Sequence, residues 1–280
     1  MGGVAVVTGG AGGIGLAAAK IVGRERTVVI CDVSPDRLDT AVTELQELGI
    51  ACEAVVCDIT DPKSVAELVE TSTPLGTVTS VIHTAGVSPS MGAADLIMRV
   101  NAMGTVHINE NFHRIAPAGF AIVNVASMAA HMLPRIALPT RHFKYAMSDE
   151  HTFMKKMMAA CRIAPESARP GLAYSISKSF VKWYCISQAQ RFGRRGARIV
   201  SISPGSIDTP MGRLEEQSGS GAMLRYAALK RFGRPEEVAE LLAFCASDKA
   251  GYLTGVDILC DGGVIGSMTF RDKLALARNR

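Results

Sequence analysis

The sequence has little of several features that would each mark a particular class of protein. Aromatic residues make up only 5% of the 280 positions, and no run of eighteen apolar residues occurs, which argues against a membrane-spanning helix. The seven cysteines form no CxxC pair, and an odd number does not suit a disulfide framework. The amino-terminal residues carry no pattern typical of a secretory signal. We therefore expect a cytoplasmic protein with reduced thiols and no membrane partner.

The sequence also lacks a strong excess of positive or negative charge. Thirty Lys and Arg residues face 26 Asp and Glu residues, and the basic residues are scattered along the chain. Nucleic-acid-binding proteins usually carry a denser basic stripe, so we expect no nucleic-acid partner. The six histidines come without a recognisable second set of ligands, and we therefore predict no metal site.

Short apolar segments alternate with segments of helical periodicity over most of the chain. This alternation is typical of βαβ units and predicts an α/β fold with a parallel sheet. Strands are expected at Val4–Thr8 and at 28–32, 54–58, 80–84, 121–127, 198–203 and 256–260. Helices are expected at 13–23, 36–48 and 61–72, over much of 93–115, and at 172–193 and 235–247.

A glycine-rich turn follows the first predicted strand and precedes a helix-forming run. It lets backbone amides approach a phosphate, and the amino end of the helix adds a partial positive charge. This context favours a dinucleotide site over a purely structural turn. The residues are Thr8, Gly9, Gly10, Ala11, Gly12, Gly13, Ile14 and Gly15.

Acidic residues end the second and third predicted strands. Asp32, 17 residues beyond Gly15, is placed to accept hydrogen bonds from adenosine ribose hydroxyls and to repel a 2′-phosphate. We therefore expect NAD(H) rather than NADP(H), with a helix-capping role for Asp32 as the alternative. Arg37 falls inside the following helix, which argues against its compensating for Asp32. Asp58 either contacts the adenine edge or satisfies backbone amides at a strand end.

Tyr174 and Lys178 are spaced to share one face of a helix. An ammonium beside a phenol favours the phenolate, so we expect a lowered pKa for Tyr174, which suits proton transfer near neutral pH. The same stretch spells S-x-x-K, a serine acyl-transfer motif, but its partner motifs SDN and KTG are absent.

Taken together, these segments resemble the short-chain dehydrogenase/reductase family over about residues 1–265. The glycine turn resembles its TGxxxGxG loop, Tyr174 and Lys178 match its YxxxK, and further matches follow in the family's order. These are Asp58, the HTAG segment 83–86, Asn101 in VNAMG, Ser127 in IVNVAS, Pro204-Gly205 with Thr209-Pro210, and the final strand and turn 256–263. The resemblance implies a Rossmann-like, doubly wound, mainly parallel seven-stranded sheet with helices on both faces.

The resemblance also implies roles for individual residues. Tyr174 would be the general acid/base, Ser127 would stabilise the substrate oxygen, and Lys178 would hold the nicotinamide ribose and lower the Tyr174 pKa. Asn101 would hold a water that links Lys178 to solvent. The implied NAD contacts are Gly9, Gly13, Ile14, Gly15, Asp32, Asp58, Ile59, Ala85, Gly86, Tyr174, Lys178, Pro204, Gly205, Ile207 and Thr209.

Two departures from the family pattern stand out. His83 replaces the first Asn of the family's NNAG segment, which supports the central strand. Ser127 and Tyr174 are 47 positions apart, because residues 131–170 form an insertion like those in some hydroxysteroid dehydrogenase/carbonyl reductase members. This Met-rich segment, with a short helix expected near 149–160, either covers a bulky hydrophobic substrate or packs against another subunit. We favour the subunit interface.

These observations predict an NAD(H)-dependent oxidoreductase that interconverts a secondary alcohol and a ketone or aldehyde. The alternative is a dinucleotide-binding sensor or scaffold without turnover, since fold does not imply function; the complete set of Asn101, Ser127, Tyr174 and Lys178 favours the enzyme. We expect residues 1–265 to form one dinucleotide-binding and catalytic domain, with 266–280 as a carboxyl-terminal extension. The family resemblance implies a homodimer or homotetramer formed through helices 101–115 and 172–193.

Overall fold

Seven parallel strands form the centre of the protein, and the predicted fold class is confirmed. The structure, a computed structural model, describes residues 3–217, 220–269 and 271–272. Each predicted strand is present, with ends that differ by at most two residues from the prediction. The strands are β1 Val4–Thr8, β2 Thr27–Asp32, β3 Cys52–Val56, β4 Val78–His83, β5 Ala121–Val125, β6 Arg198–Pro204 and β7 Asp257–Cys260.

Helices connect these strands and cover both faces of the sheet. They are α1 Gly13–Val22, α2 Pro35–Glu47, α3 Pro62–Ser72, α4 Ala94–Met98, α5 Gly104–Ile115, α6 Glu150–Cys161, α7 Arg169–Gly193, α8 Pro210–Gln217, α9 Pro235–Cys245 and α10 Val264–Ser267. Short 3₁₀ helices include Pro89–Met91, Met128–His131 and Thr140–Met147. The caps agree with the sequence: Ser34 and Asp61 each accept a backbone N–H and each precede a proline.

The strand order is β3-β2-β1-β4-β5-β6-β7, so the direction of winding reverses between β1 and β4. In open α/β sheets, ligands bind outside the carboxyl ends of the strands at this switch point. Thr8 ends β1 and His83 ends β4, and the two residues are paired in register. The glycine turn therefore lies at the position where such folds bind ligands.

The predicted helix 93–115 is interrupted in the structure. One π-helical turn, Arg99–Met103, separates α4 from α5, and the Gly104 amide donates to the carbonyl of Arg99, five residues earlier. An extra residue in a helix shifts its faces, and such turns often occur at functional sites. Asn101 lies in the middle of this turn and is buried.

The inserted segment 131–170 packs against the protein's own helices. Phe143 and Phe153 place their ring centroids 5.3 Å and 5.1 Å from that of Phe180 on α7. Met154 and Met157 are buried in the same cluster. Met154 and Met157 are therefore occupied by the protein's own core, whereas a role of the segment in covering a substrate or contacting another subunit stays a prediction. The insertion thereby covers part of α7. A homo-oligomer formed through α5 and α7 stays a prediction.

Three further predictions concern the carboxyl-terminal extension, a membrane-spanning helix and a metal site. The extension 266–280 is described only as far as 269 and at 271–272, and its remaining residues lie outside the described part of the chain. Over the described ranges, no helix has both the length and the apolar character needed to span a bilayer. Within the same ranges, no cluster of three or more His, Cys, Asp or Glu side chains is arranged to hold a metal ion.

Candidate active site

The glycine turn forms a cradle whose backbone is packed too closely against the protein for side chains at two of its positions. Gly9 adopts a positive φ of 64°, and a Cβ there would lie 2.8 Å from the Ala85 amide nitrogen. A Cβ at Gly15 would lie only 2.2 Å from the carbonyl oxygen of Gly9. The exposed backbone at the amino end of α1 fits the phosphates of a dinucleotide. Thr209, from the loop after β6, closes the other side, because its methyl group lies 3.3 Å from the position of a Cβ on Gly13.

Asp32 lies beside this cradle with a nearly buried carboxylate. Its side chain is only 9% exposed, and Nη1 of Arg37 lies 3.7 Å from Oδ1. Arg37 is in the first turn of α2, yet its guanidinium reaches back to the glycine turn: a Cβ on Gly12 would lie 2.8 Å from Nη2. Arg37 is therefore close enough to offset part of the Asp32 charge although it belongs to α2, because a long arginine side chain spans the gap that helix position alone suggested.

Asp58 is exposed and serves its own turn. Its Oδ1 accepts hydrogen bonds of 2.8 Å from both the amide and the hydroxyl of Thr60. These contacts match the strand-end alternative for Asp58, while contact with adenine stays a prediction. The next residue, Ile59, is buried, and its carbonyl lies 3.0 Å from Nδ1 of His107.

Tyr174 and Lys178 lie on one face of α7, as their spacing predicts. Nζ of Lys178 lies 5.9 Å from the Tyr174 ring centroid and donates a 2.9 Å hydrogen bond to the carbonyl of Val125, at the end of β5. Lys178 is buried, and this desolvation lowers its pKa to about 8. Gly86 approaches the same ammonium, since a Cβ there would lie 3.4 Å from Nζ.

Ser127 and Asn101 complete the group around Tyr174. Ser127 caps the 3₁₀ helix Met128–His131 by accepting the Ala129 amide, and its hydroxyl also bonds the Tyr174 phenol. The Asn101 side chain exchanges two 2.9 Å hydrogen bonds with the backbone of Val87. The structure thus brings the four predicted catalytic residues into one region at the carboxyl ends of β4 and β5.

Burial raises the pKa of Tyr174. The hydrogen bond from Ser127 opposes this shift, and the negative charge of Glu215 adds to it. The expected lowering of the Tyr174 pKa is therefore wrong for the protein's own residues, because desolvation of the phenolate outweighs the favourable contact.

Glu215 is a site residue that the sequence did not reveal. It lies on α8, and Oε1 accepts hydrogen bonds of 3.2 Å from the amide and 2.7 Å from the hydroxyl of Ser90. These bonds connect the loop after β6 to the loop after β4. They place the Glu215 carboxylate close enough to Tyr174 for its charge to raise the Tyr174 pKa. No local pattern in the sequence marks Glu215, because its partners are distant in the chain.

Apolar side chains border the site on the side of Ser127. Met128 and Met132 pack against a small cluster that contains Met223 and Val264. Methionine side chains give such a surface an adaptable shape. A substrate reaching Ser127 and Tyr174 would therefore meet a largely apolar wall.

Comparison with known proteins gives matches along almost the whole chain. Residues 3–138 match the family model described as short chain dehydrogenase, and residues 141–265 match the one described as Enoyl-(Acyl carrier protein) reductase. The short-chain dehydrogenase/reductase bsc3 of Alternaria brassicicola is 31% identical over 93% of this chain and 95% of its own length. The cis-4-hydroxycyclohexanecarboxylate dehydrogenase of Sinomonas cyclohexanicum is 29% identical over 93% of this chain and 95% of its own.

Solved structures show the same fold. A short-chain dehydrogenase/reductase from Serratia marcescens aligns with a TM-score of 0.76 at 23% identity, covering 95% of this chain and 98% of the other.

Proposed function

Because the chain belongs to the short-chain dehydrogenase/reductase family, we propose that it is an NAD(H)-dependent enzyme that interconverts a secondary alcohol and a ketone or aldehyde. The observation that carries this proposal is the convergence of Ser127, Tyr174 and Lys178 beside a glycine cradle. NAD, when bound, accepts or supplies the hydride. We further propose that residues 1–265 form one dinucleotide-binding and catalytic domain, since β1 to β7 make a single sheet.

In this proposal the protein's own residues handle the proton and the substrate oxygen. Tyr174 takes the hydroxyl proton during oxidation and returns it during reduction. The Ser127 hydroxyl bonds the same oxygen and stabilises the charge that develops on it. Lys178, with its pKa lowered to about 8, exchanges protons near neutral pH and provides the positive charge next to the phenol.

The acid/base role is tested by Tyr174→Phe. We expect turnover to fall about 10²–10⁴-fold, the usual contribution of general acid–base catalysis, with NAD⁺ affinity almost unchanged. Tyr252→Phe is the matched control, because Tyr252 is fully exposed. NADH formation with cyclohexanol measures the effect. Near-normal turnover of Tyr174→Phe would exclude the role, and wild-type NAD⁺ binding without turnover of a broad alcohol panel would favour the sensor alternative.

The preference for NAD(H) rests on the nearly buried carboxylate of Asp32. A 2′-phosphate next to it would be repelled, although Arg37 offsets part of that charge. We expect Asp32→Ala to reduce the ratio of NAD⁺ to NADP⁺ affinity about tenfold or more, since hydrogen bonds to charged groups contribute about 1.5–3 kcal/mol. Arg37→Ala should leave the preference in place. Fluorescence titration of both cofactors measures it, and a wild type that binds NADP⁺ more tightly contradicts the assignment.

We also propose that the substrate is neutral and apolar. The methionine-lined wall supports an apolar substrate, and the Glu215 carboxylate near Tyr174 disfavours an anion. Cyclohexanol and cis-4-hydroxycyclohexanecarboxylate share the ring and the alcohol and differ by one carboxylate group. We expect higher kcat/KM for cyclohexanol, and a smaller difference in Glu215→Gln. A wild-type preference for the carboxylate would refute this assignment without affecting the role of Tyr174.

A further inference from the structure

His83 connects two parts of the site through its two ring nitrogens. Nδ1 lies 2.7 Å from the hydroxyl of Thr8, at the end of β1, and Nε2 lies 3.1 Å from the hydroxyl of Thr105 on α5. The ring is buried. Burial and the charge of Lys178 lower its pKa to about 3, so the imidazole is neutral at physiological pH.

The hydrogen bonds from Thr8 through His83 to Thr105 allow one consistent placement of their hydrogens. The Thr105 hydroxyl donates a 2.8 Å bond to the main-chain carbonyl of Asn101. A hydroxyl has a single hydrogen, so Thr105 accepts at His83, and Nε2 must carry the ring proton. Nδ1 is then an acceptor and receives the Thr8 hydroxyl, which in turn accepts the Ala85 amide at 3.3 Å. Consistently, no buried side-chain nitrogen or oxygen in the described ranges lacks a hydrogen-bond partner.

This series of hydrogen bonds ends at Asn101, whose side chain lies next to Lys178. Asn101 lies in the π-helical turn, and its side-chain amide is occupied by Val87 and by Ser177, the latter at 3.3 Å. Its main-chain carbonyl accepts the Thr105 hydroxyl at 2.8 Å. The asparagine and the ammonium share one space, since a Cβ on Gly86 would lie within 3.0 Å of Oδ1 of Asn101 and 3.4 Å of Nζ of Lys178.

We infer that His83 is a positioning residue for proton transfer: through Thr105 it fixes the main-chain carbonyl of Asn101 in the π-helical turn, and with it the asparagine side chain beside Lys178. Through Thr8 the same ring is anchored to the strand that leads into the glycine turn. This inference rests on the proposed function, because it assigns a purpose to the Asn101 carbonyl. A histidine suits this place because a neutral imidazole donates at one end and accepts at the other over the width of a ring.

The tautomer of His83 tests the inference without any substrate. Nitrogen-15 NMR of the wild-type protein should show the Nε2–H form with no titration between about pH 5 and 8, the range in which an ordinary histidine changes charge. Loss of the His83 signal in His83→Gln assigns it. An Nδ1–H tautomer would overturn the inference, since Thr105 would then give its hydrogen to the ring instead of to Asn101. Protonation in that range would also overturn it, since Nδ1 would become a donor and could not accept the Thr8 hydroxyl.

The catalytic consequence is tested at Thr105, where the hydroxyl can be removed without altering the ring. We expect Thr105→Val to lower kcat about tenfold, part of the usual acid–base contribution, and to shift the pH dependence of kcat, with KM and NAD⁺ affinity close to wild type. Thr105→Ser keeps the hydroxyl and should restore both. A Thr105→Val protein with reduced melting temperature but unchanged kcat and pH profile indicates a structural link only and contradicts the inference.

Tyr174→Phe separates this test from that of the proposed function. If Tyr174→Phe retains turnover, the proposed function fails. If Tyr174→Phe is inactive while Thr105→Val behaves as wild type, only the role of His83 fails. Should Thr105→Val not fold, the tautomer measured in the wild type still decides.

Discussion

Lys178 should destabilise the folded protein at neutral pH, and replacing it should reveal by how much. Its ammonium is buried, and its pKa falls from 10.5 in water to about 8 in the fold. Each unit of pKa shift corresponds to about 1.4 kcal/mol, so the folded state loses roughly 3 kcal/mol when both states are protonated. Lys178→Met removes this cost and keeps most of the volume. We expect the variant to be more stable than the wild type at pH 7.

The sign of the pH dependence follows from the lowered pKa. Below about pH 8, lysine is charged in both states, and the full cost of burying the charge applies. As pH rises from there towards the unfolded value, the folded state is neutral while the unfolded state still binds a proton, so the cost declines. The advantage of Lys178→Met should therefore shrink by about 2 kcal/mol between about pH 7 and pH 9.5.

Urea denaturation at both pH values measures this difference, because the free energy of unfolding extrapolates linearly with denaturant. Lys155→Met is the control, since Lys155 is exposed on α6 and its replacement should give a difference that is independent of pH. Equal advantages for Lys178→Met at the two pH values would show that the ammonium is solvated in the fold. A loss of stability at pH 7 would show that the bond to Val125 outweighs desolvation.

Two further predictions concern packing. Phe153→Ala should lower the free energy of unfolding by about 3–5 kcal/mol, the usual range for a buried phenylalanine. Ile163→Ala, at an 82% exposed position, is the control and should change it little. A loss below about 1 kcal/mol for Phe153→Ala would refute docking of the insertion on α7. Gly15→Ala should abolish NAD⁺ binding in calorimetry, because its Cβ would lie 2.2 Å from a backbone oxygen. Gly171→Ala, in α7 at a position where a Cβ would meet nothing within 4 Å, should stabilise the folded protein by about 0.4–1 kcal/mol. NAD⁺ binding by Gly15→Ala would contradict the assigned cradle.

Local pattern was sufficient for much of the fold. The run Val4–Val7 is apolar on every residue and continues through Thr8 into a glycine turn, so β1 was predicted to the residue. The break within 93–115 was not predicted, because one extra residue in the turn Arg99–Met103 barely disturbs helical periodicity. The docking of the insertion was not predicted, because Phe180, the partner of its aromatic residues, lies in a separate helix and no local pattern shows which surface an apolar stripe will meet.

The candidate site was predicted where one element supplies both partners. Tyr174 and Lys178 share α7, and their spacing alone places them together. Arg37 and Glu215 were not predicted as neighbours of Asp32 and Tyr174, because their positions depend on the reach of a side chain and on a contact between two distant loops. The direction of the Tyr174 pKa was missed because burial is set by the whole fold.

The docked insertion gives the protein its own optical reporter. Trp183 is the sole tryptophan of the sequence, and its ring lies 5.5 Å from Phe143 of the insertion and 5.9 Å from Phe180 on the same helix. Indole emission depends on the polarity around the ring, so detachment of the segment 131–170 would change the fluorescence even if the sheet stayed intact. Comparing emission with far-ultraviolet circular dichroism during unfolding would then show whether this segment separates before the rest of the protein or together with it.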